Sequence, residues 1–193
     1  MEISHPGITT LCPVNKQITL HDNKQVTVPV FDARGMIMDI LTNTELMNQE
    51  NIADGYNIFT GDVDENYKSN RNYKEIHTGD EWIPARDHYC RSHNNFTNDM
   101  PVGIVIFGDK SHTDLHGALA LTPIIFTLTF FNEKCRNNPK FWRVLGYVPN
   151  LRYGKKNKSN KTPTVNKIQD EHDCLSCVFE SMVWCTPTWA KNS

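Results

Sequence analysis

Residues 101–151 read PVGIVIFGDKSHTDLHGALALTPIIFTLTFFNEKCRNNPKFWRVLGYVPNL, and the spacing of apolar runs and polar links within them decides the fold class. Val102, Ile104, Val105, Ile106 and Phe107 form a short β-branched and aromatic run without a charge, which predicts a strand buried on both faces. Gly108 lets the backbone turn, and residues 109–117 follow as a polar link rich in turn formers. A second apolar run spans 119–131, where Ile125, Thr127, Thr129 and Phe131 alternate with Phe126, Leu128 and Phe130, the period of a strand. Residues 132–140, with Asn137, Asn138 and Pro139, read as a turn. Residues 141–148 form a third strand-like run closed by Pro149. Parallel neighbours would need a crossover of about a dozen residues or more, so three strands with such short links predict an antiparallel meander. The first strand delivers a lone acid, Asp109, to its end.

A three-stranded antiparallel meander with an acid on its first strand is how an RNase H-like domain opens. The words themselves carry a resemblance: Asp109, Lys110, Ser111 and His112 after an apolar strand, then residues 122–129, then residues 136–139, then Trp142 and residues 145–149. In that order and spacing the stretch resembles a central segment of the Plavaka-type transposase-like proteins, relatives of the CACTA group of cut-and-paste DNA elements. Upstream, residues 31–47 (FDARGMIMDILTNTELM) resemble the family's amphipathic helix and residues 73–82 (YKEIHTGDEW) a further short element. Downstream, residues 169–183 (QDEHDCLSCVFESMV) resemble the start of its following helical segment.

The resemblance implies an α+β fold: an incomplete RNase H-like domain with a three-stranded antiparallel meander, preceded by helical and irregular segments. It implies a nuclease-type core in which carboxylates hold two divalent ions, Mg²⁺ or Mn²⁺, about 3.5–4 Å apart to stabilise the attacking and leaving oxygens of an in-line displacement. Asp109 would be the first of those carboxylates. In the family the second and third follow on a later strand and a later helix, past the position equivalent to Ser193. The expectation is therefore a truncated transposase-like protein, inactive alone. Asp170, Glu171, Asp173 and Glu180 belong to no strand end, and on an amphipathic helix such charges form the solvated face. On spacing alone Asp109 is a turn former bonding to amides two residues on; the surrounding match turns the reading toward a metal ligand.

Other residues keep other readings open. His112, Asp114 and His116 alternate, and an extended chain would turn them to one side as metal ligands; the blander reading is a polar link into the next strand. His172, Cys174, Cys177 and Cys185 are ligand types for zinc, but their spacing fits no full finger and the segment has helical apolar periodicity, so core thiols are the expectation and zinc is not. Arg152, Lys155, Lys156, Lys158 and Lys161 form a basic loop that would contact DNA phosphates, with Lys110 beside Asp109 as a further contact; a solvated loop or an import signal are its other readings. Two alternatives to the transposase fragment follow: a small DNA-binding or regulatory protein derived from a mobile element, and a small metal-binding protein.

Composition bounds the rest. A chain of 193 residues with 38% hydrophobic residues and mean hydropathy -0.52 suits one modest domain with irregular flanks. The expected divisions are 1–99, helical and irregular; 100–151, the three strands; 152–167, the basic loop; and 168–193, a helix and tail. Residues 32–47, open to interruption at 43–45, and residues 82–93 are the helices expected before Asp109. A net charge of -2 argues against a wholly DNA-binding surface without excluding a local patch. Six cysteines without a secretory signal, and no apolar run of spanning length, predict a soluble protein of a reducing compartment, intracellular and, for a transposase, nuclear, with no membrane partner. No phosphate-binding glycine loop, serine-hydrolase elbow or zinc-protease motif occurs.

Overall fold

The computed structural model describes residues 12–57, 75–92, 102–109, 111–112, 120–151 and 164–183. In chain order their elements are β1 (Val14–Thr19), β2 (Gln25–Val30), α1 (Ala33–Thr42), α2 (Trp82–Ser92), β3 (Ile104–Gly108), β4 (Ser111–His112), β5 (Ala120–Leu128), α3 (Glu133–Arg136), β6 (Arg143–Pro149) and α4 (Thr164–Val183). The strands form one antiparallel sheet in the order β1-β2-β6-β5-β3, with β4 also paired to β5. The fold is α+β, and β3, β5 and β6 lie side by side in chain order, which is the meander the spacing predicted.

Residues 1–99 read as helical and irregular, and β1 and β2 correct that expectation. They pair antiparallel from Val14↔Val30 to Thr19↔Gln25. Asn23, at φ 63°, takes the left-handed conformation that a short polar side chain tolerates, and Asp22 accepts from the Lys24 amide at 3.2 Å. Val26, Val28 and Val30 alternate with Gln25, Thr27 and Pro29, a strand period that Pro29 obscures, because proline counts against an interior strand. The β2–β6 ladder falls beyond it: Val30 pairs with Gly146, and the Phe31 amide donates to the Leu145 carbonyl at 2.8 Å. Gly146 is required there, since a Cβ would lie 2.8 Å from the Pro29 carbonyl and 3.0 Å from Val178.

The chain divides into two compact units, one of residues 1–39, 107–125 and 143–193 and the other of residues 40–106 and 126–142. In the first, α4 packs on β6, β2 and β1, burying Cys174 and Val178 among Val28, Val30, Leu145 and Val148. Ala33 and Met36 of α1 are buried at helical spacing, and Arg143 of β6 reaches Asp39 at 2.9 Å. Asp170 on α4 is fully buried and accepts from both the His21 amide, at 3.0 Å, and His21 Nδ1, at 2.7 Å, tying the β1–β2 turn to the helix.

The second unit is built on aromatic side chains. Phe131 stands edge-on to Phe130 and to Phe141, each pair 4.8 Å between ring centroids, and Ile40, Leu46, Ile52, Phe126 and Leu128 are buried in the same unit. The helix expected over residues 32–47 stops at Thr42, because the Asn43 side chain accepts from the amides of Glu45 and Leu46 and turns the chain out of the helix. The turn at 132–140 holds its own order: Asn132 caps α3 through the Cys135 amide, and Asn138 caps a single 3-10 turn at Pro139–Phe141.

Strand β3 departs from its sequence reading. It is not buried on both faces: Ile106 is 46% and Phe107 53% exposed. An uncharged run predicts full burial only for an interior strand, whereas β3 ends the strand order.

Candidate functional site

Asp109 lies exposed between β3 and β4, and its surroundings follow from the register of β5 beneath it. Ser111 pairs with Leu121 and His112 with Ala120. Gly108 sits against Ile124, where a Cβ would come within 2.8 Å of Ile124 Cδ1, with Thr122 Cγ2 at 3.9 Å on the same side. These contacts fit one antiparallel register. Asp109 falls opposite Pro123.

Antiparallel ladders alternate between pairs that exchange both N–H···O bonds and pairs that exchange none. The Thr129 amide donates to the Gly103 carbonyl at 2.9 Å, which assigns the exchanging pairs to the odd positions of both strands, Asp109 and Pro123 among them. Pro123 has no N–H to give. In this register the Asp109 carbonyl receives no donor from Pro123. Sequence reasoning located Asp109 and quoted Pro123 within the second strand but attached no role to it; the Thr-Pro step inside an apolar run was the available signal.

The other candidate residues divide as follows. His112 contributes its backbone to β4. Lys110, Asp114, His116, Arg152, Lys155, Lys156, Lys158 and Lys161 lie outside the described residues, as does Cys185. Three of the four acids of α4 have side-chain partners: Asp170 with His21, Asp173 with the Gln169 side-chain nitrogen at 2.8 Å, and Glu180 with Lys16. Cys174 is a core thiol, pushed up to about 11 by burial first and by the neighbouring Cys177 and acids after it. Burial likewise raises Cys177.

A divalent ion of the kind the resemblance implies takes oxygen ligands, and the Asp109 carboxylate is of the right chemistry. Among the described residues, however, no three His, Cys, Asp or Glu side chains come together as a metal group. One carboxylate does not hold two ions, so the described residues fit such a site in kind and fall short of it in number.

Other residues that the sequence reading quoted serve the scaffold of the second unit. Arg136, on α3, donates to the Phe131 carbonyl and pairs with Glu75 at 2.6 Å; Glu75 also accepts from the Glu133 amide at 2.9 Å. Trp142 Nε1 donates to the Arg136 carbonyl at 2.6 Å. His77 is 2% exposed beside Tyr56, 5.1 Å between ring centroids, and burial, opposed by its bond to the Asp54 carbonyl, holds its pKa below the ordinary imidazole value.

An α+β protein whose antiparallel meander carries an acid just past the end of its first strand is thereby defined. The family model of the Plavaka transposase matches residues 8–188, and the chain belongs to that family. No curated protein matches it, and no solved structure does. Among the described residues no helix is long and apolar enough to cross a membrane.

Proposed function

We propose that this chain carries the opening strands of an RNase H-like transposase core, and that Asp109 is the first metal-binding carboxylate of a site for cutting and joining DNA. The observation that carries the reading is the position of Asp109: at a break in the first strand of a meander β3-β5-β6, in a member of a transposase family. Mg²⁺ or Mn²⁺ bound there would supply charge stabilisation for phosphoryl transfer. The chain's own part is to hold one carboxylate in place and, through Lys110 and the basic residues 152–161, to meet DNA phosphates in the nucleus. One carboxylate does not hold two ions, and on this proposal the chain alone is inactive.

The test is incubation of the purified chain with supercoiled and linear duplex DNA in Mg²⁺ or Mn²⁺, beside Asp109→Asn. No cleavage or joining by either protein is expected. Metal-dependent cleavage by the wild type that Asp109→Asn abolishes would place a complete site in this chain and overturn the inactivity, while cleavage that survives the substitution would remove Asp109 from the chemistry.

A further inference from the structure

We propose that the outer face of α4 is an interface for a second copy of this chain, laid antiparallel about a twofold axis so that the apolar seam of each α4 packs on that of the other.

The seam is read from α4 itself. Val165, Ile168, His172, Leu175, Phe179 and Met182 recur at steps of three, four, three, four and three, the spacing of a two-helix contact. The helix turns a different face to its own sheet: Asp170, Cys174 and Val178 are fully buried where α4 packs on β6, β2 and β1. At about 100° per residue the seam lies about 130° round the helix from that face, so the two cannot both point at the sheet. Accordingly Val165 is 74% and Ile168 48% exposed, His172 is exposed, and Leu175, Phe179 and Met182 are exposed in part. A helix that covers only one sheet needs one apolar stripe, and α4 carries two.

The seam fits itself. Its steps read the same from either end, so an antiparallel copy places Val165 opposite Met182, Ile168 opposite Phe179 and His172 opposite Leu175. Each contact is then made twice, as an isologous twofold interface requires. The two outer pairings set a short β-branched side chain against a long or aromatic one, which keeps the helix separation even along the seam. Charge does not oppose the pairing, although α4 is acidic. Asp170, Asp173 and Glu180 lie off the seam and are engaged with His21, Gln169 and Lys16 of the same chain. The exposed positions that flank the seam are Gln169, Glu171 and Ser176, a single charge among them, so the seam is not built for an oppositely charged partner. The twofold sets Glu171 level with Ser176 of the second copy rather than with its own counterpart. Six seam positions span about 26 Å, a small interface, so the dimer is a weak one with a dissociation constant on the order of 10–100 µM.

The experiment is sedimentation equilibrium of the full chain from about 5 to about 500 µM, a range that brackets that constant. The wild type is expected to pass from monomer to dimer. Ile168→Lys, at an exposed position, should keep the wild-type urea midpoint and remain monomeric throughout. His172→Leu removes the polar group from the centre of the seam and should tighten the dimer about tenfold. Phe107→Lys, on the edge of β3, should dimerise as the wild type does. A wild type that stays monomeric overturns the interface, as does an Ile168→Lys variant that dimerises normally, and loss of the dimer in Phe107→Lys alone would place the contact on β3 instead. Val165→Lys, at the more exposed position, takes the place of Ile168→Lys if that variant does not fold. Orientation is read from Val165→Cys/Met182→Cys after mild oxidation and peptide mapping: an interchain 165–182 disulfide is expected, and a 165–165 disulfide would overturn the antiparallel arrangement.

Discussion

Arg136 and Glu75 stand 61 residues apart in the chain and meet at 2.6 Å, with side chains only 14% and 9% exposed. The pair joins the turn after β5 to the segment before α2, and each partner has a second bond, Arg136 to the Phe131 carbonyl and Glu75 to the Glu133 amide. Removing one partner strands a buried charge, which costs more than the intact pair contributes. Glu75→Ala is expected to lose about 3 kcal/mol in urea unfolding. The double variant Glu75→Ala/Arg136→Ala should lose less than the two single losses added together; strict additivity would show that the two side chains are not coupled.

Buried titratable groups set the pH limits of stability. His77 is held below its ordinary pKa, mainly by burial, so it stays neutral in the folded state while the unfolded chain takes up a proton below about pH 6.5. Its contribution is present above that pH and is lost as pH falls toward the folded-state value. Tyr56 is pushed up to about 12 by burial, so its contribution is whole below about pH 10 and is lost as pH rises to about 12, a loss on the order of 2 kcal/mol. Urea midpoints across pH should fall at both ends. His77→Phe should flatten the acid limb and Tyr56→Phe the alkaline one; variants whose limbs match the wild type would place the titrations elsewhere.

The glycines of the sheet differ in consequence. At Gly146 an added methyl meets the Pro29 carbonyl, which is backbone, and Val178, so Gly146→Ala should cost about 1–3 kcal/mol. At Gly108 the obstacle is the far end of Ile124, which can turn away, so Gly108→Ala should cost less. Equal thermal shifts for the two variants would contradict this ordering.

Thiol reactivity separates the cysteines by burial. Cys12 is exposed, whereas Cys174 is fully buried with its pKa pushed up to about 11. The thiolate is the reactive species, so at about pH 7.5 an aromatic disulfide reagent should modify Cys12 at once and Cys174 only at the rate of unfolding. Rapid labelling of Cys174, located by peptide mapping, would mean that α4 does not lie on the sheet as described.

Much of this fold was legible because its signals are local. The three runs of residues 101–151 became β3, β5 and β6 in sequence order, and α2 begins at Trp82 as the spacing predicted. What escaped depended on partners distant in sequence. Pro29 hid β2 until Gly146, over a hundred residues on, supplied the close approach that makes the strand possible. Asp170 read as part of a solvated helix face, yet it is buried because His21, 149 residues earlier, supplies two donors. Asp109 was singled out from its strand and its motif, whereas which residue of β5 stands opposite it is a question of register that no single run of residues answers.

The two ends of the strand order are protected unequally. Strand β1 carries Asn15, Lys16 and Gln17, and its lysine is paired with Glu180, so polar side chains guard that edge. Strand β3 reads Ile-Val-Ile-Phe-Gly and exposes about half of Ile106 and Phe107, without a charge along its length. An uncharged, exposed edge invites pairing with another chain, so the protein should aggregate in proportion to concentration. Phe107→Lys places a charge on that edge while removing little buried surface, and should leave unfolding stability within about 0.5 kcal/mol of wild type. The same variant should lower light scattering at matched concentration and raise the soluble fraction. If scattering is unchanged while stability holds, β3 is not the aggregating edge.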